Sequence, residues 1–252
     1  MDYGNFTKKA ELYDTYRPRY SSKYKDYLIN EIGISSSSWV ADIGAGTGIH
    51  SRLIYEITQN LEIIEPDMDM LAICRKNIIS EKCIFINSPA ENIEFNHPRV
   101  DFITVAQAFH LFDSKKCMSE FKKLLKSEGI TILVWNSKEH NNDVFSANEK
   151  VIKKYCPKYS REIHAHTFDE DTYRDLFEND MYSYVRLDHD SDEYLSKETF
   201  IGRTLSASYA ITSENDLYNE FCSKLEDVFI KYSQNGKIYI PQSTVIYYGK
   251  II

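Results

Sequence analysis

The sequence predicts an α/β fold whose first 137 residues build an open, doubly wound and mostly parallel sheet. Two observations predict it. Apolar runs of strand length alternate with amphipathic stretches at helical spacing, the pattern of a parallel sheet covered on both faces. The first apolar run also ends in three glycines at alternate positions, Gly44, Gly46 and Gly48, which lead straight into a helix. Such a join turns sharply and brings backbone close to whatever binds at the strand's end.

Taken in order, residues 39–43 are the first strand, and Ile49, Leu53, Ile54 and Ile57 then share one face of a helix. Residues 61–64 are the second strand, and Met70, Leu71, Cys74 and Ile78 mark a helix over 68–79. Residues 83–86 and 100–106 are the third and fourth strands. An amphipathic helix over 114–126 turns Cys117, Phe121, Leu124 and Leu125 inward; Ser127-Glu128-Gly129 breaks it, and residues 130–135 form the fifth strand. Right-handed crossovers are expected throughout.

The second half is organised differently. Residues 137–143 read as loop, and 147–155 and 169–177 as helices. Residues 182–195 are rich in strand formers around an acidic stretch. Residues 197–211 and 214–232 read as two more helices, with Gly236 as a stop, and 237–252 return to strand. The expected organisation is a lid segment over 1–30, a core over 31–137, a cap with the sixth strand over 138–235, and a final strand over 236–252.

Composition excludes several classes. The hydrophobic fraction of 42% is that of an ordinary globular chain. No apolar run approaches the ~18 residues of a membrane span, and the polar, aromatic start lacks a signal peptide's pattern. A cytoplasmic protein without a membrane partner is expected, as a monomer or homodimer. A net charge of −8, from 38 acids and 30 bases, argues against nucleic acid as the main partner. Five cysteines without a CxxC suit neither a disulfide framework nor a zinc site, and no metal is expected. The pair His164 and His166 lacks a nearby third ligand, and the acids over 188–193 lack calcium-loop spacing.

In an open parallel sheet, ligands bind outside the carboxyl ends of the strands. The first end carries Asp42-Ile43-Gly44-Ala45-Gly46-Thr47-Gly48. Its third glycine comes one place too early for the dinucleotide fingerprint, and no phosphate-binding P-loop is present. After the second strand comes Glu65-Pro66-Asp67, with Glu65 21 positions beyond Gly44, where an acid can accept hydrogen bonds from a ribose. After the third comes Ser88-Pro89-Ala90-Glu91-Asn92, and after the fourth Ala106-Gln107-Ala108-Phe109-His110-Leu111-Phe112-Asp113. Asp113 is placed to cap the next helix.

The pattern D-x-G-x-G-x-G resembles motif I of the class I S-adenosylmethionine (SAM)-dependent methyltransferases. The segment 108–113 is similar to the A-H-W-F-D of a subgroup that includes the trans-aconitate methyltransferases, with Leu111 in place of Trp. Residues 6–20, running from Phe6 through Ala10 and Tyr13 to Arg17-Pro18-Arg19-Tyr20, resemble the same subgroup, as do Asn136 and Arg203-Thr204-Leu205-Ser206 more thinly. The resemblance implies a Rossmann-like sheet of seven strands, the last antiparallel, with a helical cap. It implies SAM as cofactor and S-adenosylhomocysteine (SAH) as product. Gly44, Ala45, Gly46, Thr47, Gly48 and Asp42 would form the cofactor loop, Glu65 would grip the ribose, and Pro66, Asp67 and Met70 would flank the adenine. Ala90, Glu91 and Asn92 would read the adenine edge, and Ala106 and Gln107 would lie beside the cofactor; Ser88-Pro89 departs from the Asp or Gly usual before this Ala. The N/D-P-P-Y/F of enzymes that methylate DNA bases or glutamine is missing after the fourth strand, which points to a small-molecule acceptor. By family analogy the acceptor atom is oxygen, of a carboxylate or hydroxyl.

For such a transfer Tyr13, Tyr16 or Tyr20 would face the sulfonium or the acceptor through cation–π contact. Arg17 would pair with the methionine carboxylate. His110 is the candidate general base or acceptor-orienting group, with Gln107 as a polar neighbour. Two alternatives stand beside this reading: a SAM- or SAH-binding protein without turnover, and an NAD-dependent oxidoreductase on the same kind of sheet.

Overall fold

Parallel strands with β-branched and leucine side chains bury both faces, so the sheet needs a core on each side. The computed structural model describes residues 9–93, 100–138, 143–159, 176–189 and 194–251. Two short helices come first, α1 (Ala10–Tyr16) and α2 (Tyr24–Tyr27), the latter continued by a π-helical turn over Leu28–Ile32. Strand and helix then alternate: β1 (Val40–Ile43), α3 (Ile49–Tyr55), β2 (Leu61–Ile64), α4 (Met68–Asn77), β3 (Ile84–Ile86), β4 (Val100–Ala106), α5 (Ser114–Leu124) and β5 (Leu125–Lys138). The remainder adds α6 (Asp143–Tyr155), β6 (Phe177–Asp188), β7 (Tyr194–Leu195), α7 (Lys197–Leu205), α8 (Tyr218–Tyr232), β8 (Ile238–Tyr239) and β9 (Gln242–Ile251).

Seven strands form one sheet in the order β3-β2-β1-β4-β5-β9-β6. β1 pairs in parallel with β2 and β4, β2 with β3, and β4 with β5, while β9 runs antiparallel between β5 and β6. The seven-stranded, mostly parallel expectation holds, with β9 as its antiparallel member. Strand order reverses between β1 and β4, so the crevice at their carboxyl ends is the binding position.

Side chains alternate across the sheet. Ile43, Ile103, Val105, Leu133 and Trp135 face one core, closed by Cys117, Phe121 and Leu124 of α5. Val40, Leu61, Ile63, Ile132 and Val134 face the other, closed by Tyr24, Leu28, Ile54, Leu71 and Cys74. Of the first 30 residues, therefore, the stretch from Tyr24 onward packs into the core. The cap has its own clusters, one around Ile152, Tyr155, Phe221 and Leu225 and another around Phe200, Val228, Phe229 and Ile238.

Several boundaries differ from the sequence reading. β5 starts at Leu125, so Ser127-Glu128-Gly129 lies inside a strand. A register shift between Val100 and Phe102 takes up the irregularity there, where tertiary pairing overrides local turn preference. Phe177, read as a helix end, is fully buried in β6. The rest of that expected helix, His164 and His166, and most of the acidic stretch fall outside the described residues. α7 ends at Leu205 and α8 starts at Tyr218, which leaves 206–217 as a link between them. No described helix is long and apolar enough to cross a membrane.

Candidate active site

Asp42 lies near the end of β1 and is fully buried. Oδ1 accepts from His50 Nδ1 at 3.0 Å and Thr104 Oγ1 at 2.8 Å, and Oδ2 accepts from Ser51 Oγ. Burial alone would raise its pKa, but the His50 ring and these three hydrogen bonds hold the carboxyl below the usual range. Asp42 thus ties β1 to the first turn of α3 and to β4, and shapes the glycine loop from beneath.

The three glycines answer three different demands. All have positive φ, at 71°, 58° and 81°. A Cβ on Gly44 would sit 2.7 Å from Ala108 Cβ and 2.9 Å from Phe112 Cζ, so this position is set by packing against the segment after β4. A Cβ on Gly48 would sit 2.5 Å from Cys74 Sγ, so α4 closes that one. On Gly46 a Cβ would meet only Tyr13 Cε1, at 3.8 Å. Gly46 alone presents open backbone, and Tyr13 lies over it. Thr47 is fully buried and serves the loop's interior, its carbonyl accepting from Asn77 Nδ2.

At the end of β2, Glu65 is 7% exposed and its two oxygens are shared out: Oε2 accepts from Gly46 N–H at 2.8 Å, and Oε1 from Asp67 N–H at 2.9 Å. Burial pushes its pKa up to about 7, against these two hydrogen bonds. A carboxylate has about four lone-pair sites, so two remain for a diol. Asn87 Nδ2 donates to the carbonyls of Glu65 and Pro66 and holds the ends of β2 and β3 together. Asp67 caps α4 through Asp69 and Met70 N–H. Met70 and Ala90 are buried in the interior. Glu91 Oε1 accepts from Asp113 N–H at 2.8 Å, while its Oε2 is buried without a partner among the described residues. Asn92 is exposed.

Beyond the glycine loop, over the ends of β1, β4 and β5, lies a cavity of about 190 Å³. Tyr13, Arg17, Gly44, Ala45, Ala106, Gln107 and His110 of the predicted residues line it; Asp42, Gly46, Thr47, Gly48, the 65–70 group and the 90–92 group do not. Gln107 closes β4 with φ +60°, a left-handed conformation that costs a non-glycine residue energy and recurs at functional positions. Its N–H donates to Val134 O at 2.8 Å, which anchors the turn. His110 follows on a 3₁₀ turn over Phe109–Leu111. Asp113 caps α5 as expected, accepting from Lys116 N–H.

The N-terminal segment crosses the cavity as a strap between core and cap. Asp14 pairs with Arg52 at 2.9 Å, and Asn136 Nδ2 donates to the carbonyls of Pro18 and Arg19. On the cap side Lys9 Nζ donates to the carbonyls of Ala207 and Ala210, and the Tyr16 ring rests on Gly202 with its hydroxyl donating to Glu198 Oε1 at 2.7 Å. Tyr16 therefore faces the cap, whereas Tyr13 and Tyr20 face the cavity. The Arg17 guanidinium lies 4.9 Å over the Tyr13 ring, has no ion-pair partner among the described residues, and leaves Nε buried without a hydrogen bond.

Sequence reasoning missed the cap wall: Phe145, Asn148, Glu149 and Ile152 of α6, then Tyr159, Phe200 and Tyr209. Glu149 accepts from Tyr159 Oη at 3.0 Å, and burial pushes the Tyr209 hydroxyl up to about 12. The amphipathic pattern of α6 marks it as a packed helix but not which neighbours it meets. His50 was also missed; its signal is a polar pair, His50 and Ser51, at the start of a helix that follows a strand carboxylate. Among the described residues no group of His, Cys, Asp or Glu could hold a metal ion.

Residues 41–133 match the model of the family Methyltransf_11, described as a methyltransferase domain. An uncharacterized methyltransferase-like protein of Schizosaccharomyces pombe is 27% identical over 156 residues, 62% of this chain and 60% of its own length. The ubiquinone/menaquinone biosynthesis C-methyltransferase UbiE of Campylobacter jejuni is 21% identical over 200 residues, 76% of this chain and 77% of its own. A solved structure from Anaeromyxobacter dehalogenans, assigned as a type II methyltransferase, superposes with TM-score 0.60 at 16% identity, covering 94% of this chain and 98% of that one. The family match covers residues 41–133, and the sheet with the glycine loop at its switch point shares the fold of that solved structure. The stretch matched spans 60% and 51% of the lengths of the two S. pombe relatives.

Proposed function

We propose that the protein transfers a methyl group from SAM to an oxygen of a small molecule, a carboxylate or a hydroxyl. The observation that carries this is the cavity, which joins the glycine loop to His110 and Gln107 at the end of β4 and to the cap wall on α6. The residues present fit the cofactor: open backbone at Gly46, a buried carboxyl at Glu65 and an Arg17 guanidinium without an ion pair among the described residues are a ribose-and-amino-acid donor set.

SAM supplies a methyl already activated on a sulfonium. The chain's task is to hold donor and acceptor in line and keep water out. Gly44 to Gly48 seat the cofactor, with Asp42 setting the loop's shape. Glu65 takes the ribose hydroxyls, and Pro66, Asp67 and the segment Ala90 to Asn92 border the adenine. Arg17, stacked on Tyr13, takes the methionine carboxylate. The strap and α6 close over the site. His110 removes a proton from a hydroxyl acceptor at the β4 end, or orients a carboxylate one, and Gln107 fixes the acceptor beside it.

The test is SAH release from SAM with small carboxylic acids, alcohols and phenols as acceptors, in wild type and His110→Ala. We expect turnover on at least one oxygen acceptor, reduced in the variant. Turnover confined to nitrogen, sulfur or carbon acceptors would overturn the oxygen assignment. Tight SAM binding with no SAH release on any acceptor would favour the non-catalytic reading.

A further inference from the structure

Two groups at the cavity floor are absent from the machinery above: the buried His50 and the partly buried Tyr20. Both line the cavity beside Gly44 and Gln107. The Asp42 carboxyl, held ionised by its neighbours, can only accept, so His50 Nδ1 carries the proton and donates to it. His50 Nε2 is hydrogen-bonded to Tyr24 Oη at 3.0 Å. Burial keeps the Tyr24 phenol neutral, able to donate or to accept there. The chain Tyr24–His50–Asp42 fixes the imidazole completely, with both nitrogens spent.

What this fixed ring touches is Tyr20. The rings of Tyr20 and His50 meet edge-on at 5.3 Å and 81°, and Tyr24 meets Tyr20 at 5.4 Å. Asn136 holds the backbone immediately before Tyr20 by its two donations to Pro18 and Arg19. Ser21 N–H, immediately after, donates to Thr244 Oγ1 at 2.8 Å. Tyr20 is thus braced on both sides in sequence and on its ring, yet its hydroxyl makes no hydrogen bond among the described residues. A cofactor with its ribose at Glu65, just past β2, must extend its amino-acid tail across the switch point toward β4, over the floor where Tyr20 lies.

We propose that the Tyr20 hydroxyl oxygen faces the sulfonium and its methyl, and that His50 is the positioning residue that holds it there. The oxygen lone pairs would accept the polarised methyl C–H groups of the cation, a contact the neutral thioether of SAH cannot match. This rests on the methyltransferase reading, and Tyr20 is thereby separated from Tyr13, which lies over Gly46, and from Tyr16, which faces the cap.

The experiment is calorimetric titration of wild type, Tyr20→Phe, His50→Leu and the double variant with SAM and with SAH, without any acceptor. Tyr20→Phe should weaken SAM by roughly three- to tenfold and leave SAH within about twofold. His50→Leu should lower the SAM-to-SAH preference in the same direction, and the double variant should lose no more than the larger single loss, as expected for two residues acting as a unit. Equal weakening of SAM and SAH by Tyr20→Phe, or no change in either, overturns the proposal. If His50→Leu does not fold, the Tyr20→Phe comparison still decides. Wild type that binds neither ligand refutes the methyltransferase reading instead.

Discussion

Glu62 is a buried carboxyl with no partner among the described residues, and replacing it should stabilise the protein in a pH-dependent way. It sits in the middle of β2, fully inaccessible, in register with Ala41 and Ile84, and neither oxygen has a hydrogen bond. Burial pushes its pKa up to about 7 from 4.5. Between those values the folded state holds a proton that the unfolded state has released, so stability is full below pH 4.5 and falls as pH rises through 7. Integrated over that window, at about 1.4 kcal/mol per unit, the loss between pH 5 and pH 8 is about 2–3 kcal/mol. Glu65 titrates in the same window, so the measurement must be a difference. Urea unfolding of wild type and Glu62→Met at pH 5 and pH 8 supplies it. The variant should be the more stable at pH 8, and its advantage should be about 2–3 kcal/mol larger there than at pH 5. An advantage independent of pH, or a variant less stable at pH 8, would refute the reasoning.

Four further predictions follow from the site. Gly46→Val, strained at φ +58° but with open space beside it, should cost about 1–3 kcal/mol and abolish SAM binding, and Gly44→Ala and Gly48→Ala should destabilise by at least as much in thermal or urea unfolding, because Ala108 and Cys74 also occupy the space. Arg17→Leu should weaken SAM and SAH alike, by about tenfold, since both carry the carboxylate, and should reduce the salt dependence of binding measured by calorimetry. His110→Ala should keep SAM affinity within about twofold while methyl transfer falls by about a hundredfold if it removes a proton. Asp42→Ala should leave His50 and Thr104 unmatched in the interior and lower both stability and SAM affinity, read by unfolding midpoint and by titration.

The architecture was legible because periodicity and glycine placement are local properties. The run before Gly44, the glycines themselves and Glu65 announced a sheet with its site at the strand ends. What could not be read was which neighbours those residues meet. Gly44 and Gly48 are glycines because Ala108, Phe112 and Cys74 arrive from distant segments. Asp42 faces inward because His50, Ser51 and Thr104 receive it there. The spacing that put Met70 near a bound adenine also suits a core position, and the structure buries it. Ser127-Glu128-Gly129 carries turn chemistry, but the pairs with β4 on either side of it, Val100 with Leu125 and Phe102 with Ile130, carry β5 through it. The cap wall on α6 was beyond reach, since helical periodicity identifies a buried face and not its partner.

The central claim, that the crevice between β1 and β4 holds SAM, is tested most directly by titrating the purified protein with SAM, SAH and NAD in parallel. Micromolar binding of SAM and SAH with none for NAD is the predicted result. Binding of NAD, or of neither SAM nor SAH, would contradict it.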